Sequence, residues 1–414
     1  MKRDKIKMLD LFAGCGGLTD GFMQTNTYND IAAVEWKKPQ VQTLRRRMEK
    51  KWGKKDAQDS ILHFDIQREE ELFHGWNDDA IFGSSMGLDF YVNNANGIDI
   101  IIGGPPCQAY SIAGRVRDEH GMENDYRNYL FEHYLSIVDR YQPDLFIFEN
   151  VPGILSAAPH GKKVSEIITR EFAQKGYFIT NDLSRAIVNA ADYNVPQNRK
   201  RIILVGIREQ SFKEKAQLIL DDFYNNILPT YKGKKKLTVR EAIGNLPKLH
   251  PYWDDEHHSH RISHSTPNCK MSWHEPRYNN VRDMETFKTL AEDIESGRNY
   301  YDSKKIADLY EQKIGSKSPI HRYYVLEPDA PSTTIIAHLH KDGNRFIHYD
   351  SKQARTITPR EAALLQSFDM DYEFIGSRGN VYEMIGNAVP PQLAKALALS
   401  VIVLLKKYKP EKYA

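Results

Sequence analysis

The sequence predicts an α/β fold, doubly wound around a mostly parallel sheet, with a smaller inserted domain. Apolar, β-branched runs alternate with helix-length segments through the first half of the chain, a pattern typical of parallel strands buried on both faces. After about Arg208 the chain becomes polar and rich in Lys, His, Asn and Tyr, without such alternation. Regular segments return at Thr358, so the polar stretch is predicted to be an insertion.

The individual elements carry local signals at their ends. Gly176 is a C-cap candidate for the helix before it, and Thr358 can cap a helix that has Pro359 at its first position and Glu361 three residues on. The predicted strands are Lys7–Phe12, Ile31–Glu35, Ile98–Ile102, Leu145–Glu149 and Arg201–Ile207. The predicted helices are Tyr126–Tyr141, Val164–Lys175, Thr358–Phe368 and the buried Leu393–Leu405.

The composition is that of a globular protein without disulfides. The 414 residues are 41% hydrophobic and 27% charged, with a formal net charge of only +2. A nucleic-acid surface must therefore come from local clustering of Lys and Arg. Three cysteines without a CxxC pair argue against a disulfide framework or a zinc site. No signal peptide or membrane span is predicted, and we expect a cytoplasmic protein.

A glycine-rich turn follows the first predicted strand. Residues 10–17 read Asp-Leu-Phe-Ala-Gly-Cys-Gly-Gly, and glycines here let the backbone approach a ligand closely. Thr19 stands where a dinucleotide fingerprint would have its third glycine. Glu35 ends the next strand, where a carboxylate can accept both ribose hydroxyls, and Trp36 can stack on an adenine ring. The structural alternative is a tight turn with a surface Glu and a packing Trp.

A cysteine follows two glycines and two prolines after the third predicted strand, in the sequence Gly-Gly-Pro-Pro-Cys-Gln at 103–108. The prolines fix the backbone and remove amide donors. Cys107 is thereby held at the carboxyl end of a central strand, where open α/β sheets bind ligands, and its thiolate can act as a nucleophile. Most free cysteines are instead small buried hydrophobes, and this is our interpretation of Cys15 and Cys269.

Charged groups mark two further strand ends. Glu149 ends the fourth strand and could act as a general acid toward a ring nitrogen. Arg199 and Arg201 enter the fifth strand, where alternate residues share a face, and two guanidinium groups can hold a carboxylate and a base carbonyl. The structural alternatives are an ion-paired strand-end carboxylate and a solvated basic edge.

Together and in order, these segments resemble the cytosine-C5 DNA methyltransferases, most nearly the bacterial restriction–modification enzymes. The resemblance covers roughly 1–210 and 330–405 and implies an S-adenosylmethionine-dependent methyltransferase fold. It rests on DLFAGCGG, EW at 35–36, GGPPCQAYSIAGR, FENVPGIL, QNRKRIILVGIR, RTITPREAALLQSF and YEMIGNAVPPQLAKAL.

The resemblance implies a role for each matching residue. Cys107 would be the nucleophile, Glu149 the acid at cytosine N3 and Arg201 the group that holds the flipped base, while Arg199 would support Glu149 and the Cys107 loop. No metal is required. The residues implied to surround S-adenosylmethionine are Phe12, Gly14, Gly16, Gly17, Glu35, Trp36, Asp65, Ile66, Pro105, Asn387 and Val389.

The resemblance also implies domains and partners. Residues 1–208 would form the catalytic and cofactor-binding domain and 209–355 the target-recognition domain, whose variable part is about 209–330. Residues 356–414 would complete the catalytic domain from about 380. We expect a monomer that acts on double-stranded DNA, with no membrane partner and with a cognate restriction endonuclease that acts on the same site without a stable complex. The expected DNA-contacting residues are Gln108, Ser111, Arg115, Arg261, Lys270, Arg277, Asn279 and Arg282.

Two other functions remain open at this stage. The same chemistry could act on tRNA, although a large insert favours duplex DNA. The chain could also be a catalytically inactive DNA-binding relative, which the intact candidate residues argue against. The histidines at 257–264 lack metal-ligand spacing, and we interpret them as a solvated or phosphate-facing loop.

Overall fold

The computed structural model shows a mixed α/β architecture. It describes residues 5–106, 130–157, 163–253, 262–265, 271–315, 323–341 and 343–413. The strands are β1 (Ile6–Leu11), β2 (Tyr28–Glu35), β3 (Ile61–His63), β4 (Trp76–Asp79), β5 (Gly83–Ser85), β6 (Ile100–Gly103), β7 (Leu145–Asn150), β8 (Tyr177–Phe178), β9 (Ile187–Asn189) and β10 (Lys200–Arg208). The helices are α1 (Gly17–Met23), α2 (Lys38–Trp52), α3 (Ala57–Ser60), α4 (Glu69–His74), α5 (Gly87–Asn94), α6 (Leu130–Tyr141), α7 (Val164–Gln174), α8 (Ala216–Asp222), α9 (Val239–Ile243), α10 (Val281–Glu295), α11 (Ser303–Ile314), α12 (Pro359–Leu365), α13 (Arg378–Asn387), α14 (Pro391–Tyr408) and α15 (Pro410–Tyr413).

Within these residues one mixed sheet has the strand order β3-β2-β1-β6-β7-β10-β8, with β9 paired to β10. Strands β3, β2, β1, β6 and β7 run parallel to one another. Every residue of β6 and β7 is buried. The mostly parallel sheet and all five predicted strands are therefore confirmed.

The orientation predicted for the fifth strand is wrong. β10 runs antiparallel to β7, with Ile203 opposite Glu149. It is also antiparallel to β9, to which the short segment 190–199 joins it. A connection of that length gives antiparallel neighbours, whereas a parallel pair needs a longer crossover.

The predicted helices are observed with small changes at their ends. Helix α7 ends at Gln174, two residues before Gly176, which has a φ of 79°. Helix α12 begins with the predicted capping box of Thr358 and Glu361. It ends three residues before the predicted Phe368, and Ser367 has a positive φ of 66° that a helix cannot continue through. Helix α6 is described from Leu130, so the predicted start at 126 lies outside the described residues.

Helix α14 is the predicted buried C-terminal helix. By length and composition alone, the segment Arg378–Tyr408 is long and apolar enough to cross a membrane, but 67% of its apolar 18-residue stretch is buried inside the protein. Burial of that extent is typical of a core helix.

The chain forms two compact units whose boundaries differ from the predicted domains. Unit 1 contains residues 1–193, 200–234 and 388–414, and unit 2 contains 194–199 and 235–387. Residues 209–234 belong to unit 1 because they pack on its sheet. The Tyr224 hydroxyl donates to the carbonyl of Ile203 at 2.8 Å and accepts from the amide of Val205 at 3.0 Å.

Unit 2 contains a fully buried ion pair between Arg355 and Glu361. The guanidinium donates to both carboxylate oxygens at 2.7 Å, and neither side chain is more than 1% exposed. Burial alone would raise the pKa of Glu361, but Arg355 lowers it to about 2. Burial and the charge of Arg355 lower the pKa of His348 to about 3. Because this pair ties α12 to the preceding segment, 356–387 belongs to unit 2 rather than to the predicted C-terminal return.

Close packing of α1 on α14 gives a first prediction. A Cβ on Gly21 would lie 2.7 Å from the amide nitrogen of Lys395. Gly21→Ala should therefore lower the free energy of unfolding by about 1–3 kcal/mol, the usual cost of overpacking. Urea unfolding measures this. Gly379→Ala is the control, because a Cβ there meets nothing nearer than 3.7 Å. If both variants were equally stable, the close approach of α1 to α14 would be wrong.

Candidate active site

The turn between β1 and α1 brings the backbone into left-handed conformations. Phe12, Gly14 and Gly16 have φ values of 58°, 57° and 90°. Positive φ is costly for Phe12 and natural for the glycines. A Cβ on Gly17 would collide with the carbonyl oxygen of Val389, so only glycine allows this approach. The structure thus brings together five of the residues predicted to surround the cofactor.

Glu35 is joined to this turn by hydrogen bonds. Its Oε2 accepts from the amide of Gly14 at 2.9 Å, and its Oε1 accepts from the amide of Lys37 at 2.8 Å. Burial raises the pKa of Glu35, opposed by these two hydrogen bonds. The next residue, Trp36, has 50% of its surface exposed, which leaves its ring available for stacking.

The end of β3 adds two more predicted residues beside Glu35. β2 and β3 are parallel, with Glu35 opposite His63, so the segment after β3 reaches the same edge of the sheet. Ile66 is buried. Asp65 is partly exposed and accepts a hydrogen bond from the amide of Gln67 at 3.1 Å.

These residues fit a nucleoside-type donor. Carboxylate oxygens that each accept one amide hydrogen bond keep lone pairs for ribose hydroxyls. The glycine turn leaves room for a ligand close to the backbone, since a Cβ on Gly14 would have nothing within 4 Å. Trp36 and Ile66 supply apolar surface of the kind that an adenine ring needs.

The segment that leads to Cys107 runs beside Glu149. β6 and β7 are parallel neighbours, and a Cβ on Gly104 would lie 2.7 Å from Glu149 Oε2. The Asn150 amide donates to the carbonyl of Pro105 at 3.2 Å. Sequence reasoning missed Asn150 as a residue that holds this segment, although it stands in the Glu-Asn-Val block.

The candidate nucleophile and its loop lie outside the described residues. This applies to Cys107, Gln108, Ser111 and Arg115, and also to Cys269. Cys15 is described and is 1% exposed. Burial raises the pKa of its thiol, and the prediction that Cys15 is a small buried hydrophobe is confirmed.

Glu149 forms an ion pair with Arg201. Arg201 Nε lies 2.8 Å from Glu149 Oε1, and the two side chains are 13% and 11% exposed. Burial lowers the pKa of Arg201, while the charge of Glu149 opposes that shift. An acid and a guanidinium group therefore meet at the edge of the sheet beside Gly104.

Arg199 does not share a strand face with Arg201, because β10 begins at Lys200. Its guanidinium donates to the carbonyls of Ile335 at 3.0 Å and Gly386 at 2.8 Å, all within unit 2. The strand-alternation argument for Arg199 was therefore wrong. These hydrogen bonds place the Arg199 guanidinium against Gly386, the residue before Asn387. Asn387 is exposed and is the last residue of unit 2.

The predicted DNA-contacting residues of the insert are placed unequally. Arg282 is exposed at 45% of its side chain, and Arg277 is partly buried. Asn279 is only 2% exposed, and its amide donates to the carbonyl of Arg277 at 3.0 Å. The prediction that Asn279 reaches DNA is wrong, because its side chain holds the local backbone inside unit 2. Arg261 and Lys270 lie outside the described residues.

The prediction of a solvated histidine loop is wrong for His264. It is 2% exposed, and its ring nitrogens lie 2.9 Å from Ser263 Oγ and from the carbonyl oxygen of Gln353. The other histidines of this group, at 257, 258 and 260, lie outside the described residues. In the part of the chain that is described, no group of three His, Cys, Asp or Glu side chains could hold a metal ion.

Fold and site together define a methyltransferase with a nucleoside-type donor. The model of the C-5 cytosine-specific DNA methylase family matches residues 6–402, and the chain belongs to that family. It is similar to the type II methyltransferase M.Bpa9945I of Bacillus paralicheniformis, with 32% identity over 95% of this chain and 98% of that one. M1.HphI of Haemophilus parahaemolyticus is 28% identical over 96% of this chain and 87% of its own.

A solved structure supports the fold. A crystal structure described as a DNA modification methyltransferase encoded within an E. coli prophage has a TM-score of 0.58. Its sequence identity is 23%, and the match covers 97% of this chain and 100% of that one. The predicted S-adenosylmethionine-dependent methyltransferase fold is thereby confirmed.

The position of Glu35 predicts a pH-dependent donor affinity. The ionised carboxylate is the better acceptor for ribose hydroxyls, and burial raises its pKa. Affinity for S-adenosylmethionine should therefore be highest above that raised pKa and fall as the pH drops through it. Glu35→Gln should weaken binding about tenfold and should remove the fall in affinity at low pH. Calorimetric titration across pH checks this. The exposed Glu49→Gln should behave as wild type, and an unchanged Glu35→Gln profile would contradict the assignment.

Proposed function

We propose that this enzyme transfers a methyl group from S-adenosylmethionine to C5 of a cytosine flipped out of a specific duplex DNA sequence. The observation that carries the proposal is the Glu149–Arg201 pair at 2.8 Å, beside the backbone of Gly104 that leads to Cys107. An acid, a guanidinium group and a nucleophile-bearing segment on adjacent strand ends are what addition to a cytosine ring requires.

The proposed chemistry assigns one task to each side chain. The Cys107 thiolate forms a bond to cytosine C6 while Glu149 gives a proton to N3, which makes C5 electron-rich enough to attack an electrophile. Arg201 keeps Glu149 oriented and holds the flipped base. S-adenosylmethionine, when bound, supplies the electrophilic methyl group. The methyl transfer would leave S-adenosylhomocysteine. Loss of the C5 proton to a base then expels the Cys107 thiolate, and return of the N3 proton to Glu149 restores the ring.

The proposed donor pocket uses the turn after β1 and the ends of β2 and β3. Glu35 would bind the ribose hydroxyls, Trp36 would stack on the adenine, and Asp65 would contact the adenine edge. Turn residues 12–17 would pass close to the donor. Ile66, Pro105, Asn387 and Val389 are the remaining proposed donor contacts.

We further propose that unit 2 reads the DNA sequence. Flipping a base costs a few kcal/mol, and specificity needs side chains at base edges in the major groove. Exposed Arg282 on α10 and partly buried Arg277 are the described candidates that remain. The names of the relatives support a role beside a type II restriction endonuclease, without a stable complex, and we propose that the enzyme acts as a monomer.

A methyl-transfer assay with labelled S-adenosylmethionine tests the function. Duplex DNA should be methylated, and tRNA should not. Cys107→Ser should abolish turnover because a serine hydroxyl is a far weaker nucleophile at neutral pH, while donor binding by calorimetry should persist. Methylation of tRNA in place of DNA would overturn the substrate assignment. Near wild-type turnover by Cys107→Ser would overturn the mechanism.

A segment exchange tests target recognition. Because residues 209–234 pack in unit 1, the segment to exchange is 235–330 rather than the predicted 209–330. Replacing it with the equivalent segment of a relative that methylates another site should move the modified sequence with the segment. Bisulfite sequencing of DNA from expressing cells reads the result. An active chimera that keeps its original site would place recognition elsewhere in the chain.

A further inference from the structure

Asp10 is a buried carboxyl group in β1, just before the turn of residues 12–17, which we call the donor turn. It lies in β1 opposite Ala33 of β2 and Ile102 of β6, and it is fully buried. The hydroxyl of Thr19 donates a hydrogen bond to Asp10 Oδ2. Among the residues that the structure describes, no hydrogen-bond donor reaches Oδ1. A carboxyl group this deep in a sheet is costly to bury unless hydrogen bonds compensate.

Thr19 is the third residue of α1, and this helix lacks a cap of its own. The N-cap position is Gly16, which has a φ of 90° and no side chain to bond the free amides. Ser, Thr, Asp or Asn would normally fill that role, but the left-handed backbone favours glycine. Asp10 reaches the first turn of the helix from the neighbouring strand, where its carboxylate accepts from the hydroxyl and from the backbone amide of Thr19 and so replaces the missing cap.

The charges around Asp10 come from several elements. Burial raises its pKa well above the usual range, the hydrogen bond from Thr19 opposes that shift, and Asp30 and Glu35 of β2 add to it. The hydroxyl of Tyr134, on α6, donates to the carbonyl of Ile147 at 3.0 Å. Thr19 is thus the side chain through which Asp10 acts on the donor turn.

We propose that Asp10 is a positioning residue: through Thr19 it holds the first turn of α1, and with it residues 12–17, in the conformation that binds the methyl donor. The inference rests on the proposed donor pocket. The left-handed conformation of Phe12 is costly, and Gly14 and Gly16 lose much conformational freedom when they are ordered. A turn that is not held must therefore be ordered when the donor binds. Loss of the Asp10–Thr19 contact should therefore lower donor affinity rather than the rate of the chemical step.

The test is calorimetric titration of S-adenosylmethionine into the full-length chain, together with thermal unfolding. Thr19→Val and Asp10→Ala should each raise the donor Kd about tenfold, which corresponds to about 1.4 kcal/mol and lies within the range for loss of a helix cap. The double variant should bind no more weakly than Asp10→Ala, because Thr19→Val removes a contact that Asp10→Ala already removes. In methyl transfer, KM for the donor should rise while kcat at saturating donor stays near wild type.

Conservative variants and a matched control separate positioning from general destabilisation. Thr19→Ser keeps the hydroxyl and Asp10→Asn keeps an acceptor, so both should bind the donor within about threefold of wild type. Asp30→Ala removes another buried carboxyl, on the neighbouring strand, and should leave the donor Kd unchanged even if it lowers Tm. Thr19→Val remains informative if Asp10→Ala does not fold.

The outcomes distinguish this inference from the proposed function. A wild-type chain that does not bind S-adenosylmethionine would overturn both. A wild-type chain that binds the donor, with Thr19→Val and Asp10→Ala differing from it only in Tm, would overturn the positioning role alone. Additive effects of Asp10→Ala and Thr19→Val on Kd would also overturn it, because the two groups would then act independently.

Discussion

The position of β6 between β1 and β7 is the constraint on which the candidate active site depends. Parallel pairing on both sides sets Gly103 opposite Leu11 and opposite Phe148, so three strands end at one edge of the sheet. Residues 12–17 follow β1, and Glu149 lies at the end of β7. The approach is so close that a Cβ on Gly103 would lie 2.5 Å from the carbonyl of Leu11. Glycines at 103 and 104 follow from this spacing.

Three buried carboxyl groups at this edge are stabilised in different ways. Glu35 accepts two backbone amides, Glu149 pairs with Arg201, and Asp10 accepts the hydroxyl of Thr19. Asp10 and Glu35 lie near enough for the charge of Glu35 to raise the pKa of Asp10. Of the three, Glu149 is the one with a guanidinium partner.

The sequence predicted those parts of the fold that depend on local pattern. Continuous apolar runs located five strands of the main sheet, β1, β2, β6, β7 and β10, and the Thr358–Glu361 capping box located α12. Strand direction was not predictable in the same way, since β10 is as apolar as a parallel strand and its orientation follows from pairing with β9. The glycine turn and Glu35 were predicted together because their spacing along the chain reflects one βαβ unit.

The errors concern residues whose partners are distant in the sequence. Arg199 was placed in the strand by alternation, but its guanidinium bonds to Gly386, which no local pattern connects to it. Asn279 has the composition of a DNA contact, yet it is buried. The boundary near 208 was drawn where the polarity changes, whereas Tyr224 bonds back to β10 sixteen residues later.

The buried core of unit 2 is constrained by the ion pair between Arg355 and Glu361. Replacing a buried ion pair piecemeal is strongly destabilising, because the remaining charge loses its partner. Arg355 and Glu361 must therefore change together or not at all. Gln353 extends the constraint, since its Oε1 accepts from Arg355 at 2.7 Å and from the amide of Leu249 at 3.0 Å. Its carbonyl lies 2.9 Å from the ring of His264. If unit 2 reads the DNA, as we propose, its exposed side chains could change while their backbones stay tied to one buried pair, and the choice of target would be separate from the stability of the unit.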